Sequence, residues 1–163
     1  MTRAELIQCG KPILFNTEMV RAILNDRKNR TRRLIKPNVV ENLELDVDGS
    51  IIGMYDRFEG HTFPIKRYSP FKSGDIIYVR ETWQYIDFAG ENNGYVYKAS
   101  ENGELWENNS DDWKWRPSIH MPKEAARIFL RVIDVRAERV QNITEEGAIH
   151  EGVTPNVWDT ANE

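Results

Sequence analysis

One cysteine, Cys9, is all the thiol the chain contains, so it closes no internal disulfide and argues against a thiolate-built metal centre. The three histidines, His61, His120 and His150, are scattered without metal-ligand spacing. The reading therefore calls for no metal and no cofactor. Long apolar runs are missing as well: residues 1–11 lack the apolar core of a signal peptide, and no later stretch is suited to span a bilayer. A soluble, cytoplasmic protein with no membrane partner is the expectation. An excess of positive charge is also absent. The formal net charge is −4 and the isoelectric point is near 5.5, which argues against coating nucleic acid through bulk charge.

What is present is a globular composition. Hydrophobic residues make up 40% and charged residues 29%, which separates the chain from disordered sequences. Its 163 residues fit one domain, 1–163, with enough chain to bury a core. Against the acidic average stands one cationic stretch, Asp26-Arg27-Lys28-Asn29-Arg30-Thr31-Arg32-Arg33, and six of the ten residues from 27 to 36 are Arg or Lys. Two readings fit it: a solvated basic loop, or the cationic wall of a pocket for phosphates or polarised carbonyls.

Periodicity places this stretch between elements. Residues 12–15 read as a first strand. Asn16 or Thr17 caps a helix in which Met19, Val20, Ile23 and Leu24 recur at helical spacing, ending near Asp26. Residues 31–35 read as a strand that stops at Pro37. Alternation on either side of Asp48-Gly49 predicts a hairpin over residues 43–54. Residues 57–69 are mixed and turn-rich. Ser73-Gly74-Asp75 turns into a β-branched strand over 76–80, with 81–83 still extended, and Asn93-Gly94 precedes a strand over 95–98. The acidic stretch 101–112 reads as a surface loop. Pro117 and Pro122 stiffen the segment between them, and residues 123–126 suit one helical turn. Residues 127–140 form the longest strand candidate, with Ile128, Leu130 and Val132 on one face and a bend at Asp134. Thr144-Glu145-Glu146 opens a short helix that stops near Gly152. The fold class expected is α+β, mainly β: a small barrel with short flanking helices.

Four segments, taken in order, resemble the ASCH-domain proteins of bacteria and their phages, whose barrel is similar to the PUA domain. They are the basic stretch 26–33, Gly74-Asp75-Ile76-Ile77-Tyr78-Val79-Arg80-Glu81-Thr82-Trp83, Pro117-Ser118-Ile119-His120-Met121-Pro122, and Ile143-Thr144-Glu145-Glu146-Gly147-Ala148 through Glu151-Gly152-Val153. The phage or prophage branch is the nearest in pattern, and the likeness covers most of the chain. The family signature Gly-x-Lys-x-x-Thr/Glu-x-Arg falls on Asp26, Lys28, Thr31 and Arg33, with Asp26 departing from glycine. Longer members carry a further Trp-rich segment and a final strand, whereas this sequence ends at Glu163 shortly after Trp158. Either that ending is natural or a barrel strand is lacking and an edge is exposed.

The resemblance implies recognition of RNA or a modified nucleoside. It also implies, for some members, hydrolysis of the amide of N4-acetylcytidine or cleavage of RNA. It implies a Lys, a Thr and a Glu as catalytic groups, which places Thr31 as nucleophile and Lys28 as its base with a pKa lowered by neighbouring cations. The family's carboxylate lies on a later segment that meets Val157 or its neighbours here, and chain order instead makes Glu81 the candidate orienting acid. Glu145 and Glu151 are alternates for the carboxylate. Arg27, Arg33, Trp83, Ser118, His120 and Arg127 are candidates for contacts to substrate or nucleic acid. Each also has a structural reading: Lys28 and Arg33 as solvated cations, Thr31 as a β-branched strand residue, Glu81 as a partner for Arg80, Trp83 as core. His120 also fits a hydrogen-bonded loop residue, and Arg127, Arg131 and Arg136 a solvated face. Within the basic stretch, Lys28, Thr31 and Arg33 are expected to face inward, and Arg27, Arg30 and Arg32 outward. Two further functions remain open: a non-catalytic RNA-binding module, and a phage interaction protein whose basic loop meets an acidic protein partner.

Overall fold

The computed structural model describes residues 1–35, 43–47, 51–56, 58–87, 94–101, 103 and 113–154. Three elements frame the candidate site. Helix α1 (Arg3–Cys9) begins with a capping box in which the Thr2 hydroxyl accepts from the Glu5 N–H and the Glu5 carboxylate accepts from the Thr2 N–H. Strand β1 (Lys11–Leu14) follows. Helix α2 (Thr17–Leu24) is capped by Asn16, whose side-chain oxygen accepts from the Met19 N–H at 2.8 Å. Sequence reasoning had no helix over 3–9, because its apolar residues are too few to mark a stripe.

The remaining described strands are β2 (Leu43–Leu45), β3 (Ile51–Asp56), β4 (His61–Pro64), β5 (Ile76–Arg80), β6 (Trp83–Ile86), β7 (Gly94–Tyr97) and β8 (Phe129–Arg131). Helix α3 (Glu145–Ile149) is capped by Thr144. Short 3-10 turns occupy Ile65–Tyr68, Ser118–His120, Lys123–Ala125 and Val140–Asn142. The mainly-β, α+β expectation holds. The strands form three sheets, β1-β5-β8, β2-β3-β4 and β6-β7, and among the described residues they close no barrel.

β5 is the centre. It pairs in parallel with β1, Ile13 opposite Val79, and antiparallel with β8, Ile77 opposite Leu130. Its side chains alternate between two apolar layers, as the period of two requires. Ile77 and Val79 pack with Ile13, Phe15, Val20 and Ala99, closed over by Met19 and Ile23 of α2 and by Ile128, Leu130 and Val132. Tyr78, on the other side, packs with Trp83, Met121, Ala125 and Ala126. A strand buried on both faces needs a nearly continuous apolar sequence, and Ile76-Ile77-Tyr78-Val79 supplies it.

Two predicted strands are corrected. Residues 31–35 carry no strand: Lys28 makes an isolated antiparallel bridge with Glu151, and the segment beyond it finds no ladder. Of residues 127–140 only Phe129–Arg131 is strand. Ile128, Leu130 and Val132 do share a face, but the chain leaves the sheet before Asp134, so that residue marks no bulge within a strand. The predicted hairpin appears as β2 against β3, with a register shift between Glu44 and Leu45. Its Asp48-Gly49 turn lies outside the described residues, as do Pro37, Asn93, Trp158 and nearly all of the acidic stretch 101–112.

Candidate functional site

β1 and β5 run parallel, so their carboxyl ends lie side by side. The register ends at Leu14 opposite Arg80, and the Phe15 N–H donates to the Arg80 carbonyl at 3.1 Å. Phe15 and Glu81 are the next residues along the two chains. Phe15 is 3% exposed and Glu81 0%. A buried aromatic residue and a buried carboxylate therefore follow directly on the paired ends of β1 and β5, where the chain of β1 turns into α2.

The basic stretch is folded back over this ring. The Lys28 ammonium lies 5.5 Å from the Phe15 ring centroid and the Arg33 guanidinium 5.8 Å from it. Cation–ring attraction of this kind contributes about 0.5–2 kcal/mol, more as water is excluded. Lys28 is 7% exposed, and its Nζ donates to the Arg30 carbonyl at 2.6 Å and the Glu151 carbonyl at 2.8 Å. Burial holds its pKa below the ordinary 10.5; Glu151 pulls upward and Arg33 pushes further down.

The chain reaches this position through an unusual turn. After α2 the Arg27 and Lys28 N–H groups both donate to the Ala22 carbonyl, at 2.8 and 3.0 Å. The turn requires Asp26 to adopt φ 55°, the left-handed conformation a glycine takes without penalty. The residue standing where the resemblance has glycine thus takes a glycine's backbone shape. The cations that follow sit at the negative end of α2, where the helix dipole favours them.

Glu81 belongs to a second group. Both its oxygens accept from Arg127, from Nε at 2.8 Å and Nη2 at 2.9 Å. Arg127 Nη1 reaches the Ser100 hydroxyl at 3.0 Å, and the guanidinium lies 4.2 Å from the Tyr97 ring centroid. Such a two-pronged pair satisfies a carboxylate that has lost its water. The Tyr97 hydroxyl donates to the Ala125 carbonyl at 2.5 Å, and its pKa is raised by burial and by the Glu81 charge. Glu81 therefore pairs with Arg127 rather than with Lys28, Arg33 or Arg80. Arg80 instead donates to the Met121 carbonyl at 3.0 Å and to the Ile119 carbonyl, which pins the turn carrying Ser118 and His120.

The other candidates distribute as follows. Arg33 is exposed, against the expectation that it faces inward, but donates from Nη2 to the Leu14 carbonyl at 3.0 Å and lies over the Phe15 ring. Thr31 is exposed, against the expectation that it faces inward. Arg32 is not an outer charge: it pairs with Glu151 and, at 3.2 Å, with Glu138. Arg27 is exposed and touches the Gly152 carbonyl at 3.5 Å. Trp83 is core at 4% exposure, beside Tyr95 and under Arg116. Ser118 is half-buried and His120 exposed, on one 3-10 turn.

No family model, curated protein or solved structure matches the chain. Its chemistry is therefore read from its own geometry. Among the described residues no group of three or more His, Cys, Asp or Glu is placed to hold a metal ion, and no helix is long and apolar enough to cross a membrane. An open cavity of about 450 Å³ is lined by Pro64, Arg67, Lys72, Ser73 and Val135, near the opposite end of β5, and none of the candidate residues lines it. Sequence reasoning missed Phe15 as the ring on which the cations sit, and Ser100 and Tyr97 as supports for Arg127. The only signal for Phe15 was its position at the end of an apolar run, directly before a helix cap.

Proposed function

We propose that the chain is an ASCH-type domain that binds RNA or a modified nucleoside at the carboxyl ends of β1 and β5, and that Lys28 is its working base. One observation carries this reading. Lys28 and Arg33 share the Phe15 ring, and Phe15 and the buried Glu81 follow directly on the paired ends of β1 and β5, so an amine of lowered pKa, a guanidinium and a fixed carboxylate lie at one end of the sheet. Family membership and a PUA-like barrel belong to the same proposal and rest on the four sequence segments.

For an N4-acetylated cytosine the steps follow from these groups. The Lys28 amine takes the proton of the Thr31 hydroxyl as its oxygen attacks the acetyl carbonyl. Arg33 supports the oxyanion. The C–N bond breaks as Lys28 returns the proton to N4, releasing cytidine. Water then hydrolyses the acetyl-threonine to acetate and restores the hydroxyl. Glu81 acts through Arg127, holding that guanidinium at the rim.

Incubation with N4-acetylcytidine tests the reading. Cytidine should form with the unaltered chain and fall by about 100-fold or more with Lys28→Met. Product no higher than in that variant sinks the hydrolase. The exposure of Thr31 favours a second reading, a binding module without chemistry. In that case RNA affinity falls with salt as counterions are released, Arg33→Ala weakens it, and Thr31→Val leaves it unchanged. Shortening of single-stranded RNA that Lys28→Met abolishes would point to nuclease activity instead. Absence of any RNA or nucleoside binding, with a stoichiometric protein complex formed, would favour the interaction-protein alternative.

A further inference from the structure

The tail of the described chain is built onto the basic stretch. The Asn29 and Arg30 N–H groups both donate to the His150 carbonyl, at 2.9 and 3.1 Å. Lys28 bridges Glu151 through the main chain and reaches the Glu151 carbonyl with its side chain. Gly152, at φ 91°, fits between α2 and Lys28: a β-carbon there would stand 2.7 Å from the Ala22 β-carbon and 3.4 Å from that of Lys28. The Glu151 carboxylate is held by Arg32, which also pairs with Glu138, and Glu138 in turn accepts from Arg136 at 2.8 Å. The linked side chains of Arg32, Glu138 and Glu151 are 24–31% exposed, so water competes with them only in part.

We propose that Glu151 is the positioning residue of the Lys28 site: its main chain locks the Lys28 amine in place, while its carboxylate, clamped by Arg32, is the amine's counter-charge. The proposal rests on Lys28 being the working group at the sheet end. It assigns the odd cation of the basic stretch a task. Arg32 does not meet the ligand; it holds the acid that steadies Lys28.

The charged surroundings of Lys28 are few. Glu151 faces it from the tail and Arg33 from its own segment, while Arg27 reaches the tail at Gly152. His150, on the same tail, turns its carbonyl to the basic stretch and keeps its Nδ1 buried without a hydrogen-bond partner. From β1 and α2 the neighbours are the uncharged Phe15 and Ala22. Charge and clamp are therefore separable. Glu151→Gln removes the charge but keeps an oxygen for Arg32. Arg32→Met keeps the charge but releases the anchor.

Competitive acetylation of the full chain with acetic anhydride across pH, read lysine by lysine by mass spectrometry, distinguishes the two. Glu151→Gln should move the Lys28 midpoint down by about half a unit or more, since an attractive charge is lost. Arg32→Met should move it up toward 10.5 and raise the limiting labelling rate several-fold, as the amine gains water; Arg32→Lys should restore part of the original behaviour. A structural role alone would loosen both variants alike and shift both midpoints upward, and that result, or no shift in either, overturns the proposal. The labelling needs neither ligand nor turnover. A chain that fails to hydrolyse N4-acetylcytidine yet shows opposite shifts would sink the hydrolase and leave the positioning of the Lys28 amine by Glu151 standing.

Discussion

Asp26 shows how much a single residue's backbone can determine. At φ 55° it turns the chain sharply after α2, and without that turn Lys28 cannot return over Phe15. Asp tolerates this region better than most residues, and a β-branched side chain tolerates it worst. Asp26→Gly should leave stability within about 1 kcal/mol of the original, since relief in the turn is offset by greater freedom of the unfolded chain. Asp26→Val should cost about 1–2 kcal/mol. Urea midpoints of the two variants check this, and equal midpoints would mean the turn is not held as described. The sequence pointed to this position through its departure from glycine, but the conformation itself became visible only in the fold.

Among the elements, the join between the end of β5 and the segment leading into β8 depends on one ion pair. Glu81 is fully buried and Arg127 is 28% exposed in its side chain. Removing the cation leaves a carboxylate without water or partner, so Arg127→Met should destabilise by about 3 kcal/mol. Adding Glu81→Gln to that variant should recover part of the loss, because the stranded charge is gone. Chemical denaturation of the single and double variants decides it: a double variant no more stable than Arg127→Met alone would show that the pair's charge is not what matters. Element boundaries explain where pattern reading failed. Thr31 and Ile35 have strand-like side chains, but Arg32 and Arg33 are drawn to different partners and, among the described residues, the backbone of 31–35 pairs with no strand. Helix α2 and strand β5 were legible because a cap, a period and an apolar run are properties of neighbouring residues.

For the molecule as a whole, two ionisable groups give stability a pH dependence of the same sign at opposite ends of the scale. Asp75 is held below the ordinary 3.8 by its bond from Lys11 and by the Lys72 N–H. Its contribution is fully present above 3.8 and lost as pH falls through its folded pKa. Lys28 is also lowered, but as a cation. Below its folded pKa the burial penalty is fully present, and it is relieved as pH rises from there toward 10.5, because the unfolded chain then binds the extra proton. Asp75→Asn should therefore flatten the acid limb of stability against pH, and Lys28→Met the alkaline limb. Thermal midpoints across both ranges measure it, and an unchanged alkaline slope in Lys28→Met would contradict the buried amine.

The sequence by itself determined the local structure: the Asn16 and Thr144 caps, the period of α2, the apolar run of β5, and a cationic stretch set in an acidic chain. Each is legible because it depends on residues a few positions apart. The tertiary structure alone decided the partners. It paired Glu81 with Arg127, 46 positions away, placed Phe15 beneath Lys28 and Arg33, and brought Glu151 to Lys28 across 123 positions. No periodicity encodes such choices, since any of several cations suits a buried carboxylate until packing brings one of them within reach.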